Sequence, residues 1–581
     1  MFGIGALLGV EKIPYRRVGR LEDRGGDLLV VADPDLSPSE IANLERQPAI
    51  VLNGGTLFAR QAFGAANPLI THRACAIALD EPVWPPAAAA LGRRFGKAAL
   101  RIPAAPVCET TGVTRGTPLA WLSGPRKPAI VGLNRLVWST IDLGTAFVNL
   151  LTEDYLPKHK QHASSSPSPL HRWCRRVAES MYYAAPDRVR QWAQARIYGR
   201  IERRVQAEQG YVSESPIDAT GWLLIELVKG LIKHAGGTLV RLEKWPAPYC
   251  AAATLTHDIE PSRYAYTAGL ERLLNRIAAA GYPATLGLVA GACDRYLPNA
   301  TVAQLRSHAV ICHGLEHRGE NVAGQAEVTA SVQSARGRLE RRLKRRVTGY
   351  RSPRLDRSSA LTWALDQSRF RFDSSYPDVD RENMRHFGAG VRLNVPFRPP
   401  VPGKAGTLRA SRCLELPLTA PDCIQPLFAG RSVAQLRSMV ASKLAFICQT
   451  GGLYLALVHG GVFGERDSAV RGEHLEFVYS QLRRDGVWLA GIEEIVEWWC
   501  RREAVRITIH GEGIRVINTG AQQIAGVRLI IEQGSTVRTA QVPALNPGEG
   551  ATILASGATP PCLARRYGVH CGAAPVAEET Q

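Results

Sequence analysis

Apolar positions in this chain fall into short runs and helical spacings, and their alternation changes character several times. Near the start, an apolar run from Asp27 to Ala32 precedes Ser37-Pro38-Ser39-Glu40, with Ile41 and Leu44 at helical spacing. A second run, Ala49 to Leu52, closes on Asn53-Gly54-Gly55. Serine three residues ahead of glutamate is a helix-start signal, so the stretch reads strand, helix, strand. A connection that short implies parallel strands in an α/β layer. From Lys158 to Pro169 the residues are polar and Ser/Pro-rich, which predicts a connector. Next, Val189, Trp192, Ile197, Ile201 and Val205 recur at three to five residues, with Arg188, Arg196, Arg200, Arg203 and Arg204 mostly on other faces. This predicts an amphipathic helix, which either lies on an anionic membrane surface or packs on its own protein with a solvated arginine face. Glu202 and Glu208 interrupt the charge and favour packing. A second helix, Asp218 to His234, ends before Gly236-Gly237.

After Trp245-Pro246 the pattern becomes a repeated strand and helix: Ala252 to Thr256, Leu270 to Ala279, Ala284 to Val289, continuing to about Cys500. A repeat of roughly 250 residues is the size at which such units close into a barrel with its site at the strand C-termini. Beyond Ala504 come short alternating stretches, Val505 to His510, Gly513 to Asn518, Val527 to Glu532 and Val537 to Val542, which predict a small β-sandwich. The expected fold is therefore α/β and multidomain, with an N-terminal flavodoxin-like domain over 1–157 and a linker and helical segment over 158–245. A distorted (β/α) barrel over 246–503, the sandwich over 504–560 and a tail over 561–581 complete it.

Composition narrows the classes. At 581 residues, 45% hydrophobic and 21% charged, the chain is long enough for several cores and has an ordinary globular texture. No apolar run reaches the roughly 18 residues of a membrane span, because Glu226, Lys229 and Gly230 interrupt Trp222 to Ile232. The apolar Met1 to Val10 stretch has no preceding basic residues and no small-residue cleavage pattern, so no signal peptide is read. Twelve scattered cysteines without a Cys-x-x-Cys pair fit a reducing compartment. The expected location is the cytoplasm, with the arginine-bearing helix as the route to any membrane association. The net charge of +19 comes from 60 arginines and 11 lysines spread along the whole chain, without interleaved aromatics, so no nucleic-acid partner is expected.

Chemistry concentrates at two predicted strand ends. Thr256-His257-Asp258-Ile259-Glu260 follows the barrel's first strand, and His313-Gly314-Leu315-Glu316-His317 follows Ala309 to Cys312. The four-residue spacing predicts both imidazoles on one face of a helical turn. With one carboxylate they make a three-ligand site for a divalent cation, leaving a position for water. The other carboxylate could then accept the proton of a water whose pKa the metal lowers from about 15.7 toward about 7. His257 should point to the opposite side of its strand.

These blocks resemble the polysaccharide deacetylase family, metal-dependent carbohydrate de-N-acetylases of carbohydrate esterase family four, over about residues 246 to 500. The resemblance implies Asp258 as base, and Glu260, His313 and His317 as ligands of a divalent metal, zinc or else cobalt or another transition metal. Exchanged roles for Asp258 and Glu260 would leave a working site. Arg351-Ser352-Pro353 matches the family's Arg-x-Pro block, implying that Arg351 holds the base and that the loop N–H near Arg354 stabilises an oxyanion. Phe372-Asp373-Ser374-Ser375-Tyr376-Pro377 resembles the loop where an aspartate and an aromatic residue border the substrate, and Leu457-Val458-His459-Gly460 implies His459 as general acid. Three departures stand out: Glu260 for a shorter aspartate, Gly314 for Ser or Thr, and Arg354 for an aromatic. The implied substrate is an N-acetylated glycan or a lipid-linked sugar. Alternatives are an amide or imide hydrolase acting on another substrate, and an inactive glycan-binding protein. The N-terminal part loosely resembles a noncatalytic glutamine-amidotransferase-like domain, and oligomeric state is not legible.

Overall fold

The computed structural model describes residues 2–14, 29–31, 36–46, 48–52, 55–94, 98–122, 127–153, 217–317, 323–380, 390–420, 422, 432–459, 468–510 and 513–555, with 177, 181, 189, 192 and 196 as single positions. The amphipathic stretch from Val189 to Val205 lies largely outside the described residues, as do the 158–169 connector and the 561–581 tail.

The strand, helix, strand unit forms as its sequence predicts. Strands β1 (Leu29–Val31) and β2 (Ala49–Leu52) pair in parallel. Between them, helix Pro38–Leu44 starts at Ser37, whose Oγ accepts the Glu40 N–H while the Glu40 carboxylate accepts the Ser37 N–H. The sheet they join also holds β3 (Leu69–Ala78), β4 (Ala99–Glu109), β5 (Thr117–Leu122), β6 (Lys127–Leu133) and β7 (Leu136–Ser139), in the order β1-β2-β7-β6-β5-β3-β4. The flavodoxin-like expectation fails here. Only β1, β2 and β7 are parallel, and every other neighbour pair is antiparallel. β5, β6 and β7 follow one another through connections too short for a helical crossover, which forces hairpins.

The barrel is built from parallel strands β9 (Ala251–Ile259), β10 (Ala284–Leu288), β11 (Ala309–Cys312), β12 (Gly349–Tyr350), β13 (Phe372–Asp373), β16 (Leu414–Glu415) and β17 (Leu453–Leu457), in the order β16-β13-β12-β11-β10-β9-β17. A hairpin of β14 (Pro400–Pro402) and β15 (Leu408–Ala410) precedes β16. β18 (Val487–Leu489) pairs with the first residues of β9. Ala420 closes the ring, bridging Ala456 and accepting the Leu457 N–H at 2.9 Å. All nine residues of β9 are buried, as a strand enclosed on both faces requires.

In the 158–245 segment the helix expected over Asp218 to His234 forms as Thr220–His234. It buries ten residues, and the Gly221 N–H donates to the Arg392 carbonyl at 3.0 Å. It leads into β8 (Leu239–Leu242). The C-terminal strands are β19 (Val505–His510), β20 (Gly513–Asn518), β21 (Arg528–Gln533), β22 (Thr536–Gln541) and β23 (Gly550–Leu554). They form two three-stranded sheets, β19-β20-β23 and β22-β21-β8. The expected 504–560 sandwich thus borrows β8 from outside its span: Leu529, Ile530, Ile531 and Glu532 face Leu242, Arg241, Val240 and Leu239. One apolar cluster runs from Ile4 and Leu8 through Leu223 and Leu242 to Leu416, Trp499 and Leu529, so the predicted domains share a core.

Candidate active site

Thr256 and Asp258 alternate with His257 on β9, and the pleat sends them to opposite sides. His257 is fully buried, its Nδ1 3.0 Å from the Val458 carbonyl and its Nε2 3.5 Å from the Tyr282 hydroxyl, as its structural assignment requires. Asp258 lies opposite Gly287 of β10. A Cβ built at Gly287 would sit 2.4 Å from Asp258 Oδ1, so only glycine leaves the carboxylate its place.

Arg351 follows β12 and is fully buried. Its guanidinium donates to Asp258 Oδ1 at 3.2 Å, Thr256 Oγ1 at 2.7 Å, and the Ser374 carbonyl and hydroxyl at 3.0 and 2.9 Å. Burial opposes ionisation of Asp258, and the charges of His313 and Arg351 overcome it, holding the carboxyl below its usual range. Because burial pulls the His313 imidazole down to about 4, the charges that act on Asp258 at neutral pH are those of Arg351 and, to a lesser degree, His459.

The two histidines meet, but not on a helical turn. Residues 313–317 form a bend in which Gly314 has φ 79° and His317 φ 54°, both left-handed. Glycine at 314 permits that reversal, which accounts for its departure from Ser or Thr. The backbone is pinned by Ala290 N–H to the Gly314 carbonyl and Gly291 N–H to the Leu315 carbonyl. The imidazole centroids lie 5.1 Å apart. His313 Nδ1 lies 3.0 Å from the Arg351 carbonyl, an acceptor only, so Nδ1 carries the proton and Nε2 is left as a bare donor. That Nε2 stands 3.8 Å from Asp258 Oδ2, and His317 Nε2 stands 3.7 Å from Glu260 Oε2.

His459 follows β17 and reaches Glu260 Oε1 with Nε2 at 3.5 Å. Both its Nδ1 and its main-chain N–H donate to Asp422 Oδ2, at 2.7 and 2.8 Å. Burial would lower His459, but the Asp422 hydrogen bond and charge outweigh it and raise the imidazole to about 9. Asp422 is buried, and no spacing or block in the sequence singles it out.

Asp373 and Tyr376, expected to border substrate, are buried and hydrogen-bonded within the protein. Asp373 accepts from the Ser374 N–H at 2.9 Å and the Ser375 hydroxyl at 2.6 Å, while Ser375 Oγ accepts the Ser352 N–H. Burial pushes the Asp373 carboxyl up to about 6, and it pushes Glu415 well above its usual range with the Asp373 charge adding to the effect. The Tyr376 hydroxyl is 3.0 Å from Thr362 Oγ1. These residues brace the loop that carries Arg351. Pro353 is buried beneath the same loop, while Arg354 is exposed with φ 57°.

Among the described residues no group of three His, Cys, Asp and Glu closes to metal-ligand distances. The donor set nonetheless suits a divalent cation: one neutral imidazole with its far nitrogen tied off, a second imidazole beside it, and two carboxylates held ionised, Glu260 by His317 and His459 against its burial.

No protein-family model matches the chain, and no curated protein matches it. Among solved structures it is similar to a protein described as a polysaccharide deacetylase from Mycobacterium smegmatis, at 19% identity and TM-score 0.36 over 46% of this chain and 96% of that one. A second, from Pseudomonas aeruginosa PAO1 and described in the same way, shows 17% identity and TM-score 0.36 over 46% of this chain and 97% of its own. Puue allantoinase shows 16% identity and TM-score 0.35 over 44% and 93%. The chemistry proposed below is read from the side chains themselves.

Proposed function

We propose that the protein is a metal-assisted amidohydrolase that removes the acetyl group from an N-acetylated amino sugar, in a glycan or a lipid-linked precursor. The observation that carries this reading is the convergence of Asp258, Glu260, His313, His317 and His459 at one barrel rim, with Arg351 behind the first carboxylate and Asp422 behind the last imidazole. Glu260, His313 and His317 would hold the cation, with zinc suited to two imidazoles and a carboxylate. When bound, it polarises the amide carbonyl and makes the attacking water more acidic.

The chain's own groups divide the proton work. Asp258, kept ionised by Arg351, takes the proton of the attacking water. His459, protonated at neutral pH, gives a proton to the departing amine, and Asp422 fixes which ring nitrogen faces the site. The sugar substrate rests on the resemblance of the five sequence blocks.

An acetate-release screen across N-acetylated glycans, with zinc or cobalt added, tests the reading. Turnover is expected with at least one amino-sugar substrate. Asp258→Asn should abolish it while elemental analysis still finds metal, and His313→Ala and His317→Ala should each lose metal and turnover together. Metal content unchanged in the histidine variants would overturn the ligand assignment, and persistent turnover in Asp258→Asn would overturn the base.

A further inference from the structure

A cavity of about 490 Å³ lies toward the end of β9 opposite Asp258. It lies between helix Phe2–Glu11, the β14–β15 hairpin and the end of helix Ile492–Glu503. Trp499, in its wall, packs 5.4 Å from Trp245, which precedes the first residue of β9, whereas the catalytic carboxylates stand at the strand's last residues. The volume is in the range of small-molecule sites. The walls are mainly apolar, with Phe147, Leu151 and Phe397 among the lining side chains. Gly5 and Gly9, one turn apart on the helix, line it, and a Cβ at Gly9 would meet nothing within 4 Å.

The polar lining has one sign in excess. Lys12, Arg398 and Arg409 line the cavity, with Glu503 their one carboxylate there. Glu503 is taken by Arg398 at 2.6 Å, and Arg409 is answered by Asp366 at 2.5 Å. The Lys12 ammonium donates to the main-chain carbonyl of Glu503 at 2.5 Å rather than to a carboxylate. Burial and the neighbouring Arg502 charge draw Lys12 down to about 8 against the opposing charge of Glu503.

We propose that this cavity binds a single-chain amphiphile with one negative head group, a fatty-acid carboxylate, its hydrocarbon chain in the apolar walls and its carboxylate on Lys12. An apolar chamber alone would accept any hydrocarbon. Among the described residues no carboxylate pairs directly with the Lys12 ammonium, whereas both arginines are paired, so Lys12 is the cation left to favour an anion.

The test is fluorescence titration of the full-length protein with dansylaminoundecanoate below its micelle concentration. Saturable one-to-one binding is expected. Gly9→Leu starts its side chain in open space, since a Cβ there meets nothing within 4 Å, and raises helix propensity, so it should weaken binding at least tenfold with an undiminished thermal midpoint. Lys12→Met should weaken the acid at least tenfold and leave its methyl ester unchanged. Asp258→Asn should leave binding intact, which separates this site from the proposed reaction. The proposal is overturned by no saturable binding, as when the chain's own tail fills the cavity, by equal affinity in Gly9→Leu, or by a methyl ester that binds as well as the acid. Binding that appears only with phospholipid vesicles would likewise overturn it.

Discussion

Gly287 has no side chain to contribute, yet it sets where the Asp258 carboxylate, the proposed base, can stand. A methyl group there would fall within 2.4 Å of Asp258 Oδ1, and the carboxylate must then move. Displacements of about 1 Å cost on the order of 100-fold in rate. Gly287→Ala should therefore lower kcat by about 100-fold while its circular-dichroism spectrum stays that of the wild type. His459 offers a pH test. An imidazole raised to about 9 is protonated through the neutral range and loses its proton as pH rises past that value, so the alkaline limb of kcat/KM should fall near 9. In Asp422→Asn the supporting charge is gone. The limb should move at least one pH unit lower, and the rate should drop within the roughly 100-fold or greater effect of a positioned general acid. A limb unmoved by this substitution would show that His459 is not the titrating acid. At this scale the sequence exposed residues that carry their own chemistry, Asp258, Glu260, His313 and His317. It concealed Gly287 and Asp422, which matter only through a neighbour more than 20 residues away.

At the scale of elements, the pairing of β8 with β21 is the junction most open to measurement. Glu532 on β21 binds Arg241 of β8 at 3.0 Å and also pairs with Lys233 of the preceding helix. Burial would raise the Glu532 carboxyl, but Arg241, Lys229 and Lys233 together bring it down to about 2. Its stabilisation is therefore full above the unfolded value near 4.5 and fades as pH falls from there toward 2. Urea unfolding at pH 6 and pH 3 should show a loss of stability for the wild type that is smaller in Glu532→Gln. The variant should also be less stable at pH 6, since it leaves buried cations without their counter-charge. Strand and helix positions were readable from apolar periodicity: Ala49–Leu52, Ala309–Cys312 and Val505–His510 stand where the pattern puts them. Partners were not, because β8 could pair with any exposed edge and its sequence carries no address for a strand almost 300 residues later.

For the whole molecule, the shared apolar cluster joins parts that the pattern divides. Buried ion pairs reinforce it. Arg357 of the barrel binds Glu153 of the N-terminal part at 2.7 Å and Asp380 at 2.9 Å, Arg392 pairs with Asp218, and Glu11 of the first helix meets Lys244 at 2.6 Å. A chain ended at Glu503 would uncover β8 and the Leu239 and Leu242 side chains now buried against β21. It should lose its cooperative thermal transition, whereas independent domains would leave the barrel's transition unchanged. No helix among the described residues is long and apolar enough to cross a membrane.

By itself the sequence determined the α/β alternation, most element positions and the acid and imidazole pairs, because period and residue chemistry are local properties of the chain. Only the tertiary structure decided that β5, β6 and β7 turn back as hairpins, that β8 leaves its own segment for the C-terminal sheet, and that Asp373 and Tyr376 are buried. It also decided the left-handed bend that brings His313 to His317. Each of these depends on which distant surface covers an apolar face or answers a buried charge, and that choice is made by the folded chain as a whole.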